Sequence, residues 1–557
     1  MQDMRANPKS LTSSYSPADK SSPILEETIG AALMRLAETH AARTALIDGG
    51  AGGARRRWSY AGLAEESRKV ANALLQHFEP GDHVAVWASN CPEWVLLELG
   101  ASLAGLVLVT VNPAYLAHEL KYVLEKSDAR GVVVQDHYRG RNLLQILDET
   151  RNELPLLHTV LRLSALDDLK GNNNQKSLPT VEATDRAQIQ FTSGTTGFPK
   201  GACLSHRGLS NNGRLYAEAI GATACDVWVN PMPMFHTAGC GLATLGALHT
   251  GGAHIIPPEF DAGVLLDLFQ QERGTIMLCV PTMLIRMLEE QENNPRDVSS
   301  WRLVTLGGAP VPAELVRRAE KVLGVEVAIG FGQTEASPYL THTAVKDPHP
   351  TWFETVGKVL PQTELKIVDP ATGDIAPIDV SGEICARGYS VMEGYYKNTE
   401  ATRAAIDQEG WLHTGDIGAM DALGYCRVHG RLRDMIIRGG ENIYPKEVED
   451  VLFEHPAVAS VAVIGLPDPE WGEVVAACLI LRDGQAAAAE DLEKFCREKL
   501  ASFKVPRSWI FLDSFPQTAS GKIQKFALRK QLLEVNMTEA SGLPAISIEK
   551  NGKEDLI

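Results

Sequence analysis

The run Trp94-Val95-Leu96-Leu97-Glu98-Leu99-Gly100-Ala101-Ser102-Leu103-Ala104-Gly105-Leu106-Val107-Leu108-Val109-Thr110-Val111 decides the class of fold. It is the longest apolar stretch of a 557-residue chain and long enough to raise the question of a membrane span. Glu98, two glycines, Ser102 and Thr110 interrupt it, and its end is β-branched at Val107, Val109 and Val111. A buried helix followed by a buried strand accounts for that pattern. The reading is a soluble α/β protein with no integral membrane segment.

The same alternation extends outward. Short runs at His83–Trp87, Gly131–Val134, 254–256, 275–280 and 302–306 are apolar on both faces and separated by helix-length segments, as in mostly parallel sheets. Residues 63–77 read as one such helix, with Leu63, Val70, Ala73, Leu74 and Leu75 on its apolar stripe. So much alternating material predicts layered, mostly parallel sheets with helices in a large N-terminal domain. After about Arg433 the pattern changes to a small α+β unit. Pro445 opens a helix, 458–464 and 475–481 are strand-like, 491–500 is amphipathic, and 507–512 forms a last strand. The expected organisation is a flexible tail over 1–24, a large domain over 25–431, a small mobile domain over 432–536 and a flexible tail over 537–557.

Composition narrows the function. Lys and Arg total 53 against 70 Asp and Glu, a formal charge of −17, which argues against a general nucleic-acid binder. A small anion is still accommodated, because a few backbone N–H groups and one Lys can build a local positive pocket. The nine cysteines form no CxxC pair and supply no zinc spacing, so they read as buried thiols in a reducing compartment, the cytoplasm. Residues 1–24 lack the apolar run of a secretory signal.

The most informative chemistry lies in Phe191-Thr192-Ser193-Gly194-Thr195-Thr196-Gly197-Phe198-Pro199-Lys200-Gly201. Glycines allow close backbone approach, hydroxyls add donors and Lys200 adds a point charge, an arrangement suited to a polyphosphate. It is not a P-loop, since no Gly-Lys pair followed by Ser or Thr occurs in it.

The order of these residues resembles the signature loop of the adenylate-forming superfamily: acyl-CoA synthetases, adenylation domains of peptide synthetases and beetle luciferases. Further motifs follow in chain order: Gly307-Gly308-Ala309-Pro310, Gly330-Phe331-Gly332-Gln333-Thr334-Glu335, Trp411-Leu412-His413-Thr414-Gly415-Asp416, Gly430-Arg431-Leu432-Arg433-Asp434, Gly439-Gly440-Glu441-Asn442-Ile443-Tyr444-Pro445 and Pro516-Gln517-Thr518-Ala519-Ser520-Gly521-Lys522. The resemblance covers nearly the whole chain between the tails.

It implies two half-reactions. A carboxylate attacks the α-phosphate of ATP to give acyl-AMP and pyrophosphate, and a thiol then takes the acyl group. Thr192, Ser193, Gly194, Thr195, Thr196 and Lys200 would hold the β- and γ-phosphates. Gly308, Ala309, Pro310, Gly330, Phe331, Gly332 and Gln333 would border the nucleotide. Thr334 would donate to the α-phosphate, and Glu335 would carry Mg²⁺. Phe331 stands where relatives commonly have Tyr, which keeps stacking and loses a hydroxyl contact. Asp416 and Arg431 would take the ribose, and Lys522 would bridge the attacking carboxylate and the α-phosphate. Arg433 falls at the hinge about which the small domain rotates, and Arg438, Gly439, Gly440 and Glu441 would then border CoA.

The acyl pocket would be built from Phe235, His236, Ala238, Gly239, Gly308 and Ser337. Amino-acid-activating relatives place an Asp after the aromatic residue of this motif. His236 there points to an acid without an α-amine, and its preferred role is a wall or gate ahead of acid–base catalysis. Set against the relatives that the resemblance names, the expected lack of a carrier-protein domain after residue 536 and of the fatty-acyl-AMP ligase insertion within 394–414 would favour CoA as acceptor. The expectation is ATP- and Mg²⁺-dependent ligation of a medium- or long-chain fatty acid, or another apolar acid, to CoA. Delivery to a carrier protein or amine, an aromatic or polycyclic acid, and a catalytically silent scaffold stand as alternatives. Oligomeric state is left open, a homodimer included.

Overall fold

The computed structural model describes residues 10–50, 55–171, 177–192, 199–439, 441–482, 484–517, 523–539 and 548–550. The deciding stretch divides as its composition requires, into the helix Pro92–Ala104 and the strand Val107–Val111. Gly105 ends the helix in a left-handed conformation (φ 66°). Trp94, Leu96, Leu97 and Leu99 are buried on several sides because the helix lies among the helices Ile29–Thr39 and Tyr60–Leu74 and its own sheet. That enclosure explains why the segment shows no amphipathic stripe. Among the described residues no helix is long and apolar enough to cross a membrane.

Two large sheets form the body. In one, Arg186–Thr192, Val107–Val111, His83–Trp87, Gly131–Val134 and Thr159–Arg162 run parallel, with Lys200–Ser205 and Gly394–Tyr395 antiparallel at one edge. In the other, Glu326–Gly332, Leu303–Gly307, Ile276–Cys279, Val227–Val229, Ala253–Ile256 and Thr44–Asp48 are parallel, flanked by antiparallel strands at both edges. Most of these parallel strands are apolar on both faces, as strands covered by helices on both faces are.

A third, antiparallel sheet joins Tyr15–Ser16, Thr363–Val368, Gly382–Gly388, Leu412–Met420 and Cys426–Arg431. It corrects in part the expected flexible tail over 1–24, for the described residues from Ser10 onward. Tyr15 and Ser16 pair with Lys366 and Leu365, Ser14 Oγ donates to Pro377 O at 2.7 Å, and Tyr15 Oη donates to Glu364 at 2.6 Å. An edge strand has unpaired backbone groups, and this segment satisfies them.

A smaller sheet follows, made of Glu441–Ile443, Ile436–Arg438, Gly472–Leu481 and Ser508–Phe511, with Val458–Asp468 paired on Gly472–Leu481. It packs its own core of Ile436, Val448, Leu452, Val475, Leu492 and Trp509. Pro445 opens the helix Pro445–Phe453 as expected. The expected tail from 537 is also corrected in part. The helix Lys525–Glu539 continues into it, and Ile548–Lys550 pairs with Ser508–Phe511.

Candidate active site

In parallel α/β sheets, ligands collect beyond the carboxyl ends of the strands. The sequence motifs lie at such ends. Thr192 ends Arg186–Thr192, the segment with Phe235 and His236 follows Val227–Val229, Gly308-Ala309-Pro310 follows Leu303–Gly307, and Gln333 to Ser337 follow Glu326–Gly332. Leu303–Gly307 and Glu326–Gly332 are neighbours, with Gly307 opposite Gly330, so two of the motifs emerge side by side.

The first cluster is built around Glu335. Thr192 and Lys200, on either side of 193–199, are cross-strand partners. Thr192 Oγ1 donates to Glu335 Oε1 at 3.3 Å, and Tyr395 Oη donates to the same oxygen at 2.8 Å. Lys200 Nζ lies 5.0 Å from the centroid of the Tyr395 ring. Burial and the charge of Glu335 push the Tyr395 hydroxyl above its ordinary pKa, while Arg431 opposes the rise. Glu335 sits in the short helical turn Thr334–Ala336, and its carbonyl accepts from Met392 N–H at 2.9 Å. Gly332 is required for this turn to fold back, because a Cβ there would meet Pro338 O at 1.9 Å. Thr334 is buried beside Glu335, while Gln333 donates its N–H to Pro338 O at 2.9 Å.

The second cluster pairs Asp416 with Arg431, opposite each other on adjacent strands, with Nε 2.7 Å from Oδ1. The turn carrying Asp416 is fastened from behind. Thr414 Oγ1 donates to Ile384 O at 2.7 Å and accepts from Asp416 N–H at 3.1 Å, and Gly415 N–H donates to Glu383 Oε1 at 3.0 Å. Glu383, Cys385 and His413 bring ligand-type atoms within 4.8 Å of one another. Glu383 there already accepts from the Gly415 N–H and pairs with His413 Nδ1 at 2.8 Å, so the trio braces the turn. The charge of Arg431 reaches the Tyr395 hydroxyl, so the second cluster lies within electrostatic range of the first.

The acyl motif starts with Phe235 and His236, both half-buried, and runs into a π-helix, Ala238–Thr244. His236 Nδ1 accepts from Ala238 N–H at 3.2 Å, which puts the ring at the mouth of that helix. Gly239 lies against the backbone of Pro233. Gly241 opens toward Ser337, whose carbonyl would be 3.9 Å from a Cβ at 241. Ser337 Oγ donates to Ser390 O at 2.7 Å. Gly308 and Pro310 form an exposed turn with Ala309 half-buried between them, and Phe331 is half-buried on the neighbouring strand. Gly330 makes room for the Tyr339 ring, which a Cβ there would meet at 2.6 Å.

Arg433 lies in the three-residue turn Leu432–Asp434 that joins the last strand of the third sheet to the first strand of the small one. Its Nε is 3.6 Å from Asp434 Oδ1, and a cavity of about 140 Å³ opens beside it. Arg438 is turned into the small sheet: Nη1 donates to Phe503 O at 2.7 Å and the guanidinium stacks 5.3 Å from the Trp471 ring. Gly439 follows it with φ 59°, and Glu441 is exposed. Ser193, Gly194, Thr195, Thr196, Gly440 and Lys522 lie outside the described residues. Gln517 and Ile523, which flank 518–522, form an antiparallel β-bridge.

Two residues of the cleft escaped the motif reading. Tyr395 belongs to the two-residue strand Gly394–Tyr395, too short to carry a periodic signal, and only its pairing with Ala202 places it. Glu383 acts through the cross-strand register of Gly382–Gly388 with Leu412–Met420.

Two mostly parallel sheets, a carboxylate held by hydroxyls at the end of one of their strands and an Asp–Arg pair on the third sheet fit a nucleotide-binding enzyme of the adenylate-forming class. Residues 33–396 match the family described as AMP-binding enzyme, and residues 447–522 match the AMP-binding enzyme C-terminal domain. The chain belongs to this family. It is 36% identical over 511 residues to the human medium-chain acyl-CoA ligase ACSF2, mitochondrial, covering 86% of this chain and 83% of that protein. It is 39% identical over 542 residues to YngI of Bacillus subtilis (strain 168), provisionally named an acyl-CoA synthetase, covering 92% of this chain and 98% of YngI. Among solved structures, it resembles the anthranilate CoA ligase AuaEII in complex with anthranoyl-AMP, with a TM-score of 0.84 and 28% identity over 92% of this chain and 98% of that one.

Proposed function

We propose that the protein is an AMP-forming acid–CoA ligase, which activates an apolar carboxylic acid of the fatty-acid kind with ATP and transfers the acyl group to CoA. The grouping of Thr192, Lys200 and Glu335 around Tyr395, with the Asp416–Arg431 pair within electrostatic range of its hydroxyl, carries this reading. The first step brings a carboxylate against a polyphosphate, so charge must be compensated before the atoms can meet. Lys200 supplies a cation at the base of the phosphate loop, and Thr192 supplies a hydroxyl. Asp416 accepts from the ribose hydroxyls, a task suited to its two acceptor oxygens, and Arg431 holds it in place. Glu335, a single hard-oxygen carboxylate held by hydroxyls, fits Mg²⁺, a cation that keeps water and phosphate oxygens as its other ligands. When bound, that ion neutralises phosphate charge.

Lys522 is the group we assign to bridging the acid and the α-phosphate, delivered by a small domain (432–536) that turns about Arg433. The same rotation brings Gly439, Gly440 and Glu441 to the thiol for the second step. The Arg438 side chain, fixed to Phe503 O, serves this face as a structural support. Medium-chain acids are the preferred substrates, in keeping with the named activity of ACSF2. All nine cysteines are free, which supports a cytoplasmic location.

ATP–pyrophosphate exchange across a panel of acids, scored with and without CoA, tests the reading. Exchange with apolar acids and CoA-dependent AMP release are expected; exchange with no acid would defeat it. Lys522→Ala is expected to lose about 10²-fold or more in acyl-AMP formation while thiolysis of supplied acyl-AMP survives. Equal losses in both steps would overturn its assignment.

A further inference from the structure

The strand Arg186–Thr192 carries a polar face within a largely apolar sheet. Gln188, Gln190 and Thr192 alternate along it and project to one side. Thr192, at the outer end, reaches the cleft. At the inner end Gln188 Nε2 donates to Glu98 Oε1 at 2.8 Å, across to the helix Pro92–Ala104. Gln190 Nε2 donates to Gln188 Oε1 at 2.7 Å and to Cys240 Sγ at 3.2 Å, and Cys240 Sγ lies 3.5 Å from Gln188 Oε1. Glu98, Gln188, Gln190 and Cys240 are all buried. Cys240 belongs to the π-helix that continues the Phe235–His236 segment, so the chain of polar groups runs directly behind the acyl motif.

Nothing in the folding of an α/β sheet calls for four buried polar groups here, since matched apolar residues would pack at least as well. The arrangement matters for what approaches it. On the acid–CoA ligase reading, a hydrocarbon chain would enter along the Phe235–Thr244 segment, and to pass Gln190 it would have to part hydrogen bonds that nothing apolar can replace. Burial holds the Glu98 carboxyl far above its ordinary range, to about 8, so this barrier adds no buried charge at neutral pH. Gln190 stands two residues from Thr192, about 7 Å along the strand.

We propose that Glu98, Gln188, Gln190 and Cys240 form the floor of the acyl pocket and limit the hydrocarbon chain of the acid to medium length. The inference rests on the acid–CoA ligase reading and deepens it. Glu98 and Gln188 act through Gln190 and Cys240 and are therefore positioning residues for substrate length.

CoA-dependent AMP release by the full-length enzyme, measured as kcat/KM over a series of straight-chain saturated acids, reads the limit. In Glu98→Leu/Gln188→Leu both members of the buried pair become apolar. The ratio of kcat/KM for long to medium acids is expected to rise about tenfold or more. Glu98→Gln keeps a partner for Gln188 and is expected to retain the wild-type limit. Cys240→Leu, which adds bulk to the floor, is expected to shift preference toward shorter acids and provides an independent reading if the double variant does not fold. An unchanged length profile in a folded double variant, or in Cys240→Leu, overturns the proposal. A wild-type enzyme that activates no acid defeats the ligase reading itself, a result distinct from an active enzyme whose length profile ignores these residues.

Discussion

At its outer end the strand Arg186–Thr192 presents Thr192 to Glu335; at its inner end it presents Gln188 to Glu98. Both glutamates are buried, and each accepts hydrogen bonds from uncharged groups. Their surroundings differ in what lies beyond. Glu335 opens onto a cleft with Lys200 stacked on Tyr395 and Arg431 within electrostatic reach. Glu98 has Gln188 on one oxygen, none of the described groups on the other, and no cation. On the proposed reading the same side chain would serve as a carboxylate site for a cation in one place and as a neutral, hydrogen-bonded plug in the other. What decides the role is the charge its neighbours and ligands bring, since depth of burial alone does not separate the two.

The largest effect expected from breaking this contrast is at the outer end. Glu335→Gln keeps shape and hydrogen-bonding capacity but removes the charge, and should lower ATP–pyrophosphate exchange about 10²-fold or more without a change in fold. Exchange kinetics alongside a thermal melt check it; wild-type rates would show that Glu335 carries no cation.

The inner end is tested by pH. In the folded protein Glu98 titrates near 8, against an ordinary value of 4.5. Between those two values the folded state holds a proton that the unfolded chain has released, so stability falls as pH rises through that window, by at most about 1.4 kcal/mol per unit. Glu98→Gln should lack this slope. Urea midpoints of the two proteins at about pH 5.5 and about pH 7.5 measure the difference, and parallel behaviour would contradict a protonated Glu98.

Smaller effects sharpen the picture of the cleft. Arg431→Met leaves Asp416 buried without its guanidinium, but the Arg431 side chain is 40% exposed, so solvent screens the pair. A loss of about 1 kcal/mol in stability and about a tenfold higher KM for ATP are expected, read by melting and ATP titration. Tyr395→Phe removes one hydroxyl from Glu335 and should cost about 0.5–1.5 kcal/mol. A weakened Mg²⁺ dependence of exchange would register it.

The legible parts of the fold were those with a strong local signal. The runs His83–Trp87 and Gly131–Val134 are strands with the bounds their composition implied, and Pro445 opens its helix. Strands too short for periodicity were not legible: Tyr15–Ser16 and Gly394–Tyr395 exist only because an existing edge offers backbone partners. In the cleft, Thr192, Lys200, Glu335, Asp416 and Arg431 were marked by the order of their motifs. Tyr395 and Glu383 were not, because each acts through a cross-strand neighbour. Glu98 showed in the sequence only as a break in an apolar run, and its partner Gln188 lies 90 residues away.

The sequence by itself determined the alternation of helix and strand and the stock of groups able to handle a nucleotide and an acid, since periodicity, glycine placement and residue chemistry are local properties. Only the tertiary structure decided which of those groups share a cleft and which close off the core behind it. Proximity between residues far apart in the chain is fixed by strand order and register, and neither is written in any one segment.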